Sequence, residues 1–240
     1  MAAIYLIRHG QASFGKADYD QLSDKGAQQS QHLGKFWRTL ASPNKVFTGD
    51  LLRHEQTLEN FLIGYQGNKP STVLHSGFNE FNHVDLLTRS DARWKSFAHM
   101  ASLISKSPDG NKAFQKEFAQ ALNRWVEGKH DGDYLESWPM FKKRCIAALY
   151  DVINHELAAK KLSSKAEPSK DICIFTSGGT ISVLIQHVLD LTDQNTLAVN
   201  QQLRNTSVTK LLFSEGKISI DYLNNYAHLA DKPADWVTFR

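Results

Sequence analysis

Cysteine is scarce in this chain of 240 residues, which holds only Cys145 and Cys173. Both lie within apolar patterns, so we expect two buried thiols in a reduced, cytoplasmic protein rather than a disulfide. The N-terminus lacks a cationic segment followed by a long apolar one, which predicts that there is no signal peptide. No apolar run approaches the roughly 18–20 residues that cross a bilayer, so we expect no membrane partner.

A strong excess of charge of one sign is also absent. The 28 basic and 25 acidic residues give a net charge of +3, which is too small to indicate a nucleic-acid partner. The ten histidines show neither HExxH nor paired Cys/His spacing, so we predict no metal and no other cofactor. A G-x-S-x-G elbow and a P-loop are missing as well, which argues against a serine hydrolase and a nucleoside triphosphatase. No pattern specifies an oligomeric state.

Strand and helix patterns alternate along the chain and predict an α/β fold. The apolar, β-rich run Ala2–Arg8 is typical of a strand buried on both faces of a sheet. Further strands are predicted at residues 45–48, 72–74 and 171–175, followed by a hairpin of residues 207–214 and 217–223. We therefore expect one domain spanning residues 1–240, a three-layer sandwich whose central sheet is mostly parallel.

Helical patterns fill the segments between the first strands. One helix is predicted to begin at Ser23 or Asp24, since either residue can cap a helix N-terminus. Its buried face should hold Ala27, Leu33, Phe36, Trp37 and Leu40. The next helix spans residues 51–63 and is predicted to end at Gly64.

From about residue 85 to residue 140 the pattern changes. Charged and aromatic residues mix at helical spacing, and Pro108-Asp109-Gly110 indicates a turn. We expect a helical insertion, or cap, within the domain that covers the site and shapes its specificity. Its tryptophans, Trp94, Trp125 and Trp138, are expected in its core, with an apolar wall over the substrate as the alternative.

Polar residues follow the predicted strands at the sheet edge where α/β proteins bind ligands. Arg8-His9-Gly10 ends the first strand, and Ser177 follows the strand at residues 171–175. A small polar loop continues from Gln11 to Gly15, in which glycines would let the backbone approach a ligand. Successive N–H groups of this loop would form an anion-binding nest. The sequence therefore favours a phosphate site at this edge.

Six motifs extend this interpretation over nearly the whole chain. In order they are IYLIRHG (4–10), LSDKG (22–26), TGDLLRHEQT (48–57), NE (79–80), SGGTI (177–181) and NTSV (205–208). In content and order they resemble the histidine phosphatase superfamily, which includes the cofactor-dependent phosphoglycerate mutases. The resemblance implies a phosphoglycerate mutase-like fold and chemistry on a small phosphorylated substrate.

The resemblance also implies roles for individual residues. His9 would be the nucleophile, forming a phosphohistidine that water then hydrolyses. Glu80 would protonate the leaving oxygen and afterwards act as the base for water. The phosphoryl oxygens would be bound by Arg8, Arg53, Ser13, Ser177 and Gly178. Guanidinium groups suit this task because their forked donors match an oxyanion, and their charge disfavours protonation of His9.

Ser177 departs from the family pattern, which has a second histidine at this position. Serine can donate one hydrogen bond but carries no positive charge. Loss of one transition-state donor typically costs on the order of 10²–10³ in rate, which the amides of Gly178 and Gly179 would offset in part. The candidates for a replacement imidazole are His54, His83 and His228.

We predict a phosphatase that hydrolyses a small phosphomonoester through a phosphohistidine on His9. The alternative is a non-catalytic phosphate-binding or regulatory protein that kept the pocket after losing the second histidine. A mutase ranks lower, because no segment indicates a grip on a carboxylate or protection of the phosphoenzyme from water. The substitution Ser177→His should raise the rate if serine is merely a lost donor. It should lower the rate if Ser177 belongs to a different, self-consistent site.

Overall fold

The computed structural model describes residues 2–13, 20–40, 43–91, 93–94, 96, 98–99, 102, 110–162 and 171–239. The chain forms two compact units, Met1–Glu80 with Cys145–Arg240 and Phe81–Arg144. The described strands are β1 (Ala2–Arg8), β2 (Pro43–Thr48), β3 (Ser71–Leu74), β4 (Asp171–Thr176), β5 (Val208–Ser214) and β6 (Lys217–Asn225). The longer helices are α1 (Asp24–Trp37), α2 (Leu52–Tyr65), α3 (His83–Ser90), α4 (Gly110–Val126), α5 (Trp138–Leu162), α6 (Gly178–Leu189) and α7 (Asp193–Gln202).

One mixed sheet in the first unit has the strand order β3-β2-β4-β1-β5-β6. The central strand β1 is parallel to β4, with Arg8 opposite Thr176, and antiparallel to β5, with Ile7 opposite Val208. β2 is parallel to both β4 and β3, whereas β5 and β6 form an antiparallel hairpin. The predicted α/β fold is confirmed. Because β1, β2 and β4 are parallel, their carboxyl ends meet at one edge of the sheet.

Helices α1 and α2 pack together over one face of the sheet. Trp37 of α1 lies 5.1 Å from the Tyr5 ring, and Phe61 of α2 lies 5.3 Å from the Phe175 ring, centroid to centroid. Both helical rings are fully buried, as is Leu33. These rings join the two helices to β1 and β4.

The predicted face of α1 is only partly correct. Phe36 is 40% exposed and Leu40 is 48% exposed, whereas both were expected in the core. The helix ends at Trp37, so Leu40 lies beyond it and no longer shares its periodicity.

The predicted helix end at Gly64 is wrong. Helix α2 runs to Tyr65 and ends at Gln66, which adopts the left-handed conformation with φ 54°. Gly64 instead lies at the contact with α1, where an added Cβ would overlap the carbonyl oxygen of Gln31. The glycine therefore serves close helix packing rather than helix termination.

Helix α6 begins directly after β4 and is buried over most of its length. Every residue from Gly178 to Gln186 is buried. The burial extends around the helix and includes the polar residues Thr180, Ser182 and Gln186. The β4–α6 connection therefore places Ser177 between two buried elements at the edge of the sheet.

The second unit is helical, with an interior of aromatic rings. Trp125 of α4 lies 5.1 Å from both the Phe81 and Trp138 rings and 5.6 Å from the Phe141 ring. All four rings are buried. Of the predicted turn, residues 108–109 lie outside the described residues and Gly110 begins α4. The expectation that residues 85–140 cover the site stays a prediction.

The two cysteines are as predicted, since Cys145 and Cys173 are both free and buried. Burial raises the pKa of the Cys173 thiol well above its ordinary value. Within the described part of the chain, no helix is long and apolar enough to cross a membrane.

Candidate active site

His9 lies immediately after β1 at the carboxyl edge of the sheet, with its side chain almost fully buried. Its backbone N–H donates to the Thr176 carbonyl (2.9 Å), and its ring Nδ1 lies 2.7 Å from the Gly10 carbonyl. A carbonyl oxygen can only accept, so the neutral ring carries its proton on Nδ1 and keeps a lone pair on Nε2. Burial and the charges of Arg53 and Arg8 hold the pKa of His9 well below its ordinary value. The ring is therefore neutral.

In the described part of the loop after His9, three N–H groups that could contribute to the predicted anion nest bond within the protein. The N–H of Gly10 donates to Thr57 Oγ1 (3.1 Å) and that of Gln11 to Gln29 Oε1 (3.0 Å). Both the N–H and the hydroxyl of Ser13 donate to the Gln21 carbonyl, at 2.8 and 3.1 Å. These donors are already used within the protein. The role of Ser13 as a phosphate ligand stays a prediction, and residue 15 lies outside the described chain.

Gly10 also has a packing role that the sequence did not predict. A Cβ at this position would overlap the carbonyl oxygen of Gly26 and would lie 2.9 Å from Ser30 Oγ. The absent side chain therefore lets the His9 loop approach the first turn of α1, and the predicted approach to a ligand stays a prediction.

The two predicted arginine ligands have different neighbours. Arg53, in the first turn of α2, is buried, and its Nη1 lies 2.5 Å from Asp20 Oδ1. Asp20 also accepts a hydrogen bond from the N–H of Leu52 (3.0 Å), which begins α2. Arg8 donates from Nη1 to the Leu203 carbonyl (2.5 Å), and its Nε would lie 3.4 Å from a Cβ at Gly178. Asp20 was not predicted, because no motif marks it.

Ser177 lies between Arg53 and His54. Its side chain is fully buried, with Oγ 2.6 Å from His54 Nε2 and 3.5 Å from Arg53 Nη2. The rings of His54 and His9 are 5.9 Å apart, centroid to centroid. Burial, with the charge of Arg53, lowers the pKa of His54 well below its ordinary value. A second neutral imidazole therefore stands beside the candidate nucleophile.

The other two candidate histidines belong to other segments of the chain. His228 Nε2 is 2.9 Å from Thr206 Oγ1, and burial lowers the pKa of this histidine to about 3. His83 begins α3 in the second unit, and its place in the site stays a prediction. His54 is the candidate with a hydrogen-bond contact to Ser177.

Glu80 is fastened to the start of α6. Its Oε2 accepts a hydrogen bond from the Gly179 N–H (2.9 Å), where a carboxylate is favoured by the helix dipole. The same segment is fixed by Thr176, whose hydroxyl donates to the Phe78 carbonyl (2.6 Å). The Gly179 amide, expected to help bind the phosphoryl group, is thus occupied by Glu80. The contact brings Glu80 to the sheet edge that carries Ser177.

A buried polar network that was not predicted braces the His9 loop. Asn205 Nδ2 donates to the His9 carbonyl (3.1 Å) and its Oδ1 accepts from the Thr238 hydroxyl (2.8 Å). Gln29 Nε2 donates to Thr238 Oγ1 (2.9 Å) and to the Trp236 carbonyl (2.7 Å). Asn205 and Gln29 are both fully buried. The NTSV motif pointed to Asn205 without a role, and no sequence pattern marked Gln29.

Among the described residues, no group of three or more His, Cys, Asp and Glu side chains is placed to hold a metal ion. The arrangement instead gathers two guanidinium groups, a hydroxyl and two imidazoles, one of which keeps a lone pair on Nε2.

Comparisons with known proteins identify the family and the fold. The model of the histidine phosphatase superfamily (branch 1) matches residues 4–109 and 104–226. The probable phosphoglycerate mutase GpmB of Citrobacter koseri is 27% identical over 136 residues, which cover 51% of this chain and 60% of that protein. The match thus spans less than two thirds of this relative's length.

Solved structures of similar fold include both mutases and phosphatases. Phosphoglycerate mutase from Bacillus anthracis superposes with a TM-score of 0.64 at 17% identity, covering 95% of each chain. A mutant phosphoserine phosphatase from Entamoeba histolytica, in complex with phosphoserine, gives 0.61 at 18% identity, covering 95% of this chain and 100% of that one. Mycobacterial glucosyl-3-phosphoglycerate phosphatase gives 0.62 at 18% identity, covering 93% and 99%. These likenesses support the fold, and the matched family model extends over most of the chain. The chain therefore belongs to the histidine phosphatase superfamily.

Proposed function

We propose that this protein is a phosphatase that hydrolyses a small phosphomonoester through a phosphohistidine on Nε2 of His9. The observation that carries the proposal is the Nδ1 contact with the Gly10 carbonyl, 2.7 Å long, in a ring whose pKa is lowered. A neutral imidazole with Nδ1 protonated offers its Nε2 lone pair as a nucleophile. The two buried free thiols support the further proposal that the enzyme works in a reducing compartment such as the cytoplasm.

The reaction would proceed in two displacements at phosphorus. In the first, a bond forms between His9 Nε2 and phosphorus while the bond to the leaving oxygen breaks, and Glu80 gives that oxygen a proton. In the second, Glu80 takes a proton from water, whose oxygen bonds to phosphorus as the N–P bond breaks. The products are an alcohol and inorganic phosphate, and the imidazole returns to its neutral form.

Phosphoryl oxygens would be held by the guanidinium groups and by the start of α6. Arg53 has five N–H donors, and the Asp20 contact orients the group while leaving other donors for an oxyanion. The proposed set of phosphate ligands is completed by Arg8, Ser177, Gly178 and Ser13. The charges of the two arginines match the developing charge of the transition state, which is where such groups lower the barrier most.

A non-catalytic phosphate-binding protein is the second candidate. Two features favour it: Ser177 stands where the resemblance implies an imidazole, and the Arg53 guanidinium already pairs with a carboxylate. A mutase is the third candidate, because the relative that matches 136 residues of this chain is a probable phosphoglycerate mutase.

The substitution His9→Ala tests the proposal. We expect hydrolysis of p-nitrophenyl phosphate to fall by at least about 10³-fold, because the variant lacks the proposed nucleophile. The matched control is His187→Ala, an exposed histidine of α6 paired with the Tyr150 hydroxyl, which should keep the wild-type rate. Acid-labile radioactive phosphate should be trapped on the wild type and not on the His9→Ala variant.

Two other outcomes would decide between the candidates. The wild type and the His9→Ala variant could both be inert towards a panel of phosphomonoesters while the wild type still binds inorganic phosphate. That result would identify the protein as a non-catalytic phosphate-binding protein. If the wild type interconverts phosphoglycerates faster than it hydrolyses them, the protein is a mutase.

A further inference from the structure

We propose that His54 is a positioning residue that orients the Ser177 hydroxyl towards the phosphoryl group, so that the pair replaces the second histidine of the family. This inference deepens the phosphatase proposal and rests on it. It depends on the contacts of one buried hydroxyl group and on the protonation of one imidazole.

The hydroxyl of Ser177 can donate one hydrogen bond and accept two. Among the residues that the structure describes, the nitrogens within hydrogen-bond distance of its oxygen are His54 Nε2, at 2.6 Å, and Arg53 Nη2, at 3.5 Å. Arg53 can only donate. If His54 also donates, both lone pairs of the oxygen are used and the hydroxyl hydrogen is free for a ligand. If His54 accepts instead, that hydrogen is consumed inside the protein.

The other ring nitrogen of His54 decides which of these holds. Nδ1 is buried and has no hydrogen-bond partner among the described residues. The lowered pKa of His54 makes the ring neutral, so it has a single N–H. Placing that hydrogen on Nδ1 would create an orphaned buried donor, which folded proteins rarely tolerate. The hydrogen therefore belongs on Nε2, which donates to Ser177.

The resulting chain of donors runs from His54 Nε2 through Ser177 Oγ to a phosphoryl oxygen. Hydrogen bonds in such a chain polarise one another, so the hydroxyl becomes a stronger donor than an isolated serine. The ring of His54 lies 5.9 Å from that of His9, which places the pair beside the nucleophile. Gly49 leaves room for the ring, since a Cβ there would overlap His54 Nδ1.

A double-mutant cycle tests the pair, with kcat and KM measured on p-nitrophenyl phosphate. Ser177→Ala should lower kcat by about 10²–10³-fold, the usual effect of losing one oxyanion donor. His54→Ala should lower it by about ten- to a hundred-fold, with KM changed by less than about threefold. The double variant should be no worse than Ser177→Ala, because both substitutions remove the same donor. If the two substitutions caused independent structural defects, their fold-reductions in kcat would instead multiply.

His54→Gln and a matched control separate this role from simple packing. The glutamine amide can donate to Ser177, so this variant should recover at least about half of the kcat lost in His54→Ala, on a logarithmic scale. The control is His228→Gln, because His228 is likewise buried and lies 2.9 Å from a hydroxyl, that of Thr206. It should keep the wild-type kcat.

Moving the imidazole from position 54 to position 177 gives a sharper result. Ser177→His alone should lower kcat, because the new imidazole would overlap His54, now 2.6 Å from the serine oxygen. His54→Ala combined with Ser177→His removes that overlap and restores a single-histidine donor. The combined variant should therefore be faster than either single variant.

The inference and the proposed function can fail separately. If His54→Ala keeps kcat within about twofold while His9→Ala abolishes hydrolysis, the phosphatase stands and the role of His54 is refuted. If the wild type hydrolyses nothing, the proposed function fails. The pair is then judged by ¹⁵N NMR of the histidine rings, with His54→Gln used for assignment. A His54 ring protonated on Nε2 is expected, and one protonated on Nδ1 refutes the pair.

Discussion

The carboxyl edge of the sheet and the interior of the 81–144 unit are both buried, yet they are filled differently. At the sheet edge the buried side chains are polar: His9, Arg53, His54 and Ser177. In the 81–144 unit they are aromatic: Phe81, Trp125, Trp138 and Phe141. Burying polar groups costs free energy unless each finds a partner, whereas burying rings is favourable in itself. The difference supports the proposed chemistry at the sheet edge and predicts that the aromatic interior contributes stability.

The largest stability effect is expected at Trp125. Truncation by Trp125→Ala removes the ring that contacts Phe81, Trp138 and Phe141, so the free energy of unfolding should fall by about 3–5 kcal/mol. Urea denaturation, monitored by far-UV circular dichroism, measures this loss of stability. The control Leu135→Ala, at a side chain 71% exposed, should change the value by less than about 0.5 kcal/mol. A loss below about 1 kcal/mol for Trp125→Ala would show that the rings do not form a core.

The buried histidines predict a loss of stability in acid. Burial lowers the pKa of His228 from 6.5 to about 3, and the pKa values of His9 and His54 are also lowered. Below pH 6.5 the unfolded chain gains protons that the folded protein does not. The free energy of unfolding should therefore fall as the pH falls from about 6.5, by about 1.4 kcal/mol per pH unit for each such histidine. For His228 the fall ends near pH 3.

Urea denaturation at several pH values between about 7 and 5 measures this slope. His228→Gln should give a shallower slope than the wild type, because one histidine no longer contributes. An unchanged slope would mean that His228 titrates normally in the folded protein. Histidines of the 81–144 unit should not contribute to this slope, because none among its described residues is buried.

A smaller effect is expected at the contact between α1 and α2. Gly64→Ala places a Cβ against the Gln31 carbonyl oxygen, so the two helices must separate. We expect a loss of about 1–3 kcal/mol in the free energy of unfolding, despite the better helix propensity of alanine. The matched control is Gly132→Ala in the 81–144 unit, where the added Cβ meets open space and the loss should vanish. A Gly64→Ala variant as stable as the wild type would refute the close packing.

The strand-end placement of the site was predictable from sequence, whereas most contacts within the site were not. Buried strands followed by polar residues placed His9 and Ser177 at one edge, because parallel strands end together. The partners of those residues depend on tertiary register. Nothing local shows that the first turn of α2 directs His54 at Ser177, or that Asp20 reaches Arg53.

Glycine illustrates the same limit. Gly10 and Gly64 were interpreted from local rules, as a ligand contact and as a helix end. In the structure each accommodates a neighbouring backbone, that of Gly26 or Gln31, which replaces the role predicted for Gly64 and adds an unpredicted one for Gly10. A glycine that serves close packing has the same sequence signal as one that serves a turn, because the neighbour comes from elsewhere in the chain.

The central position of β1 has a consequence for folding. Its neighbours in the sheet are β4 (residues 171–176) and β5 (residues 208–214), so both edges of this apolar strand stay unpaired until distant segments have been synthesised. Pairings of such long sequence separation form slowly, and an unpaired apolar strand is prone to aggregate. His9, the candidate nucleophile at the end of β1, therefore gains its neighbours from β4 and β5 only late in folding, after those strands have been synthesised.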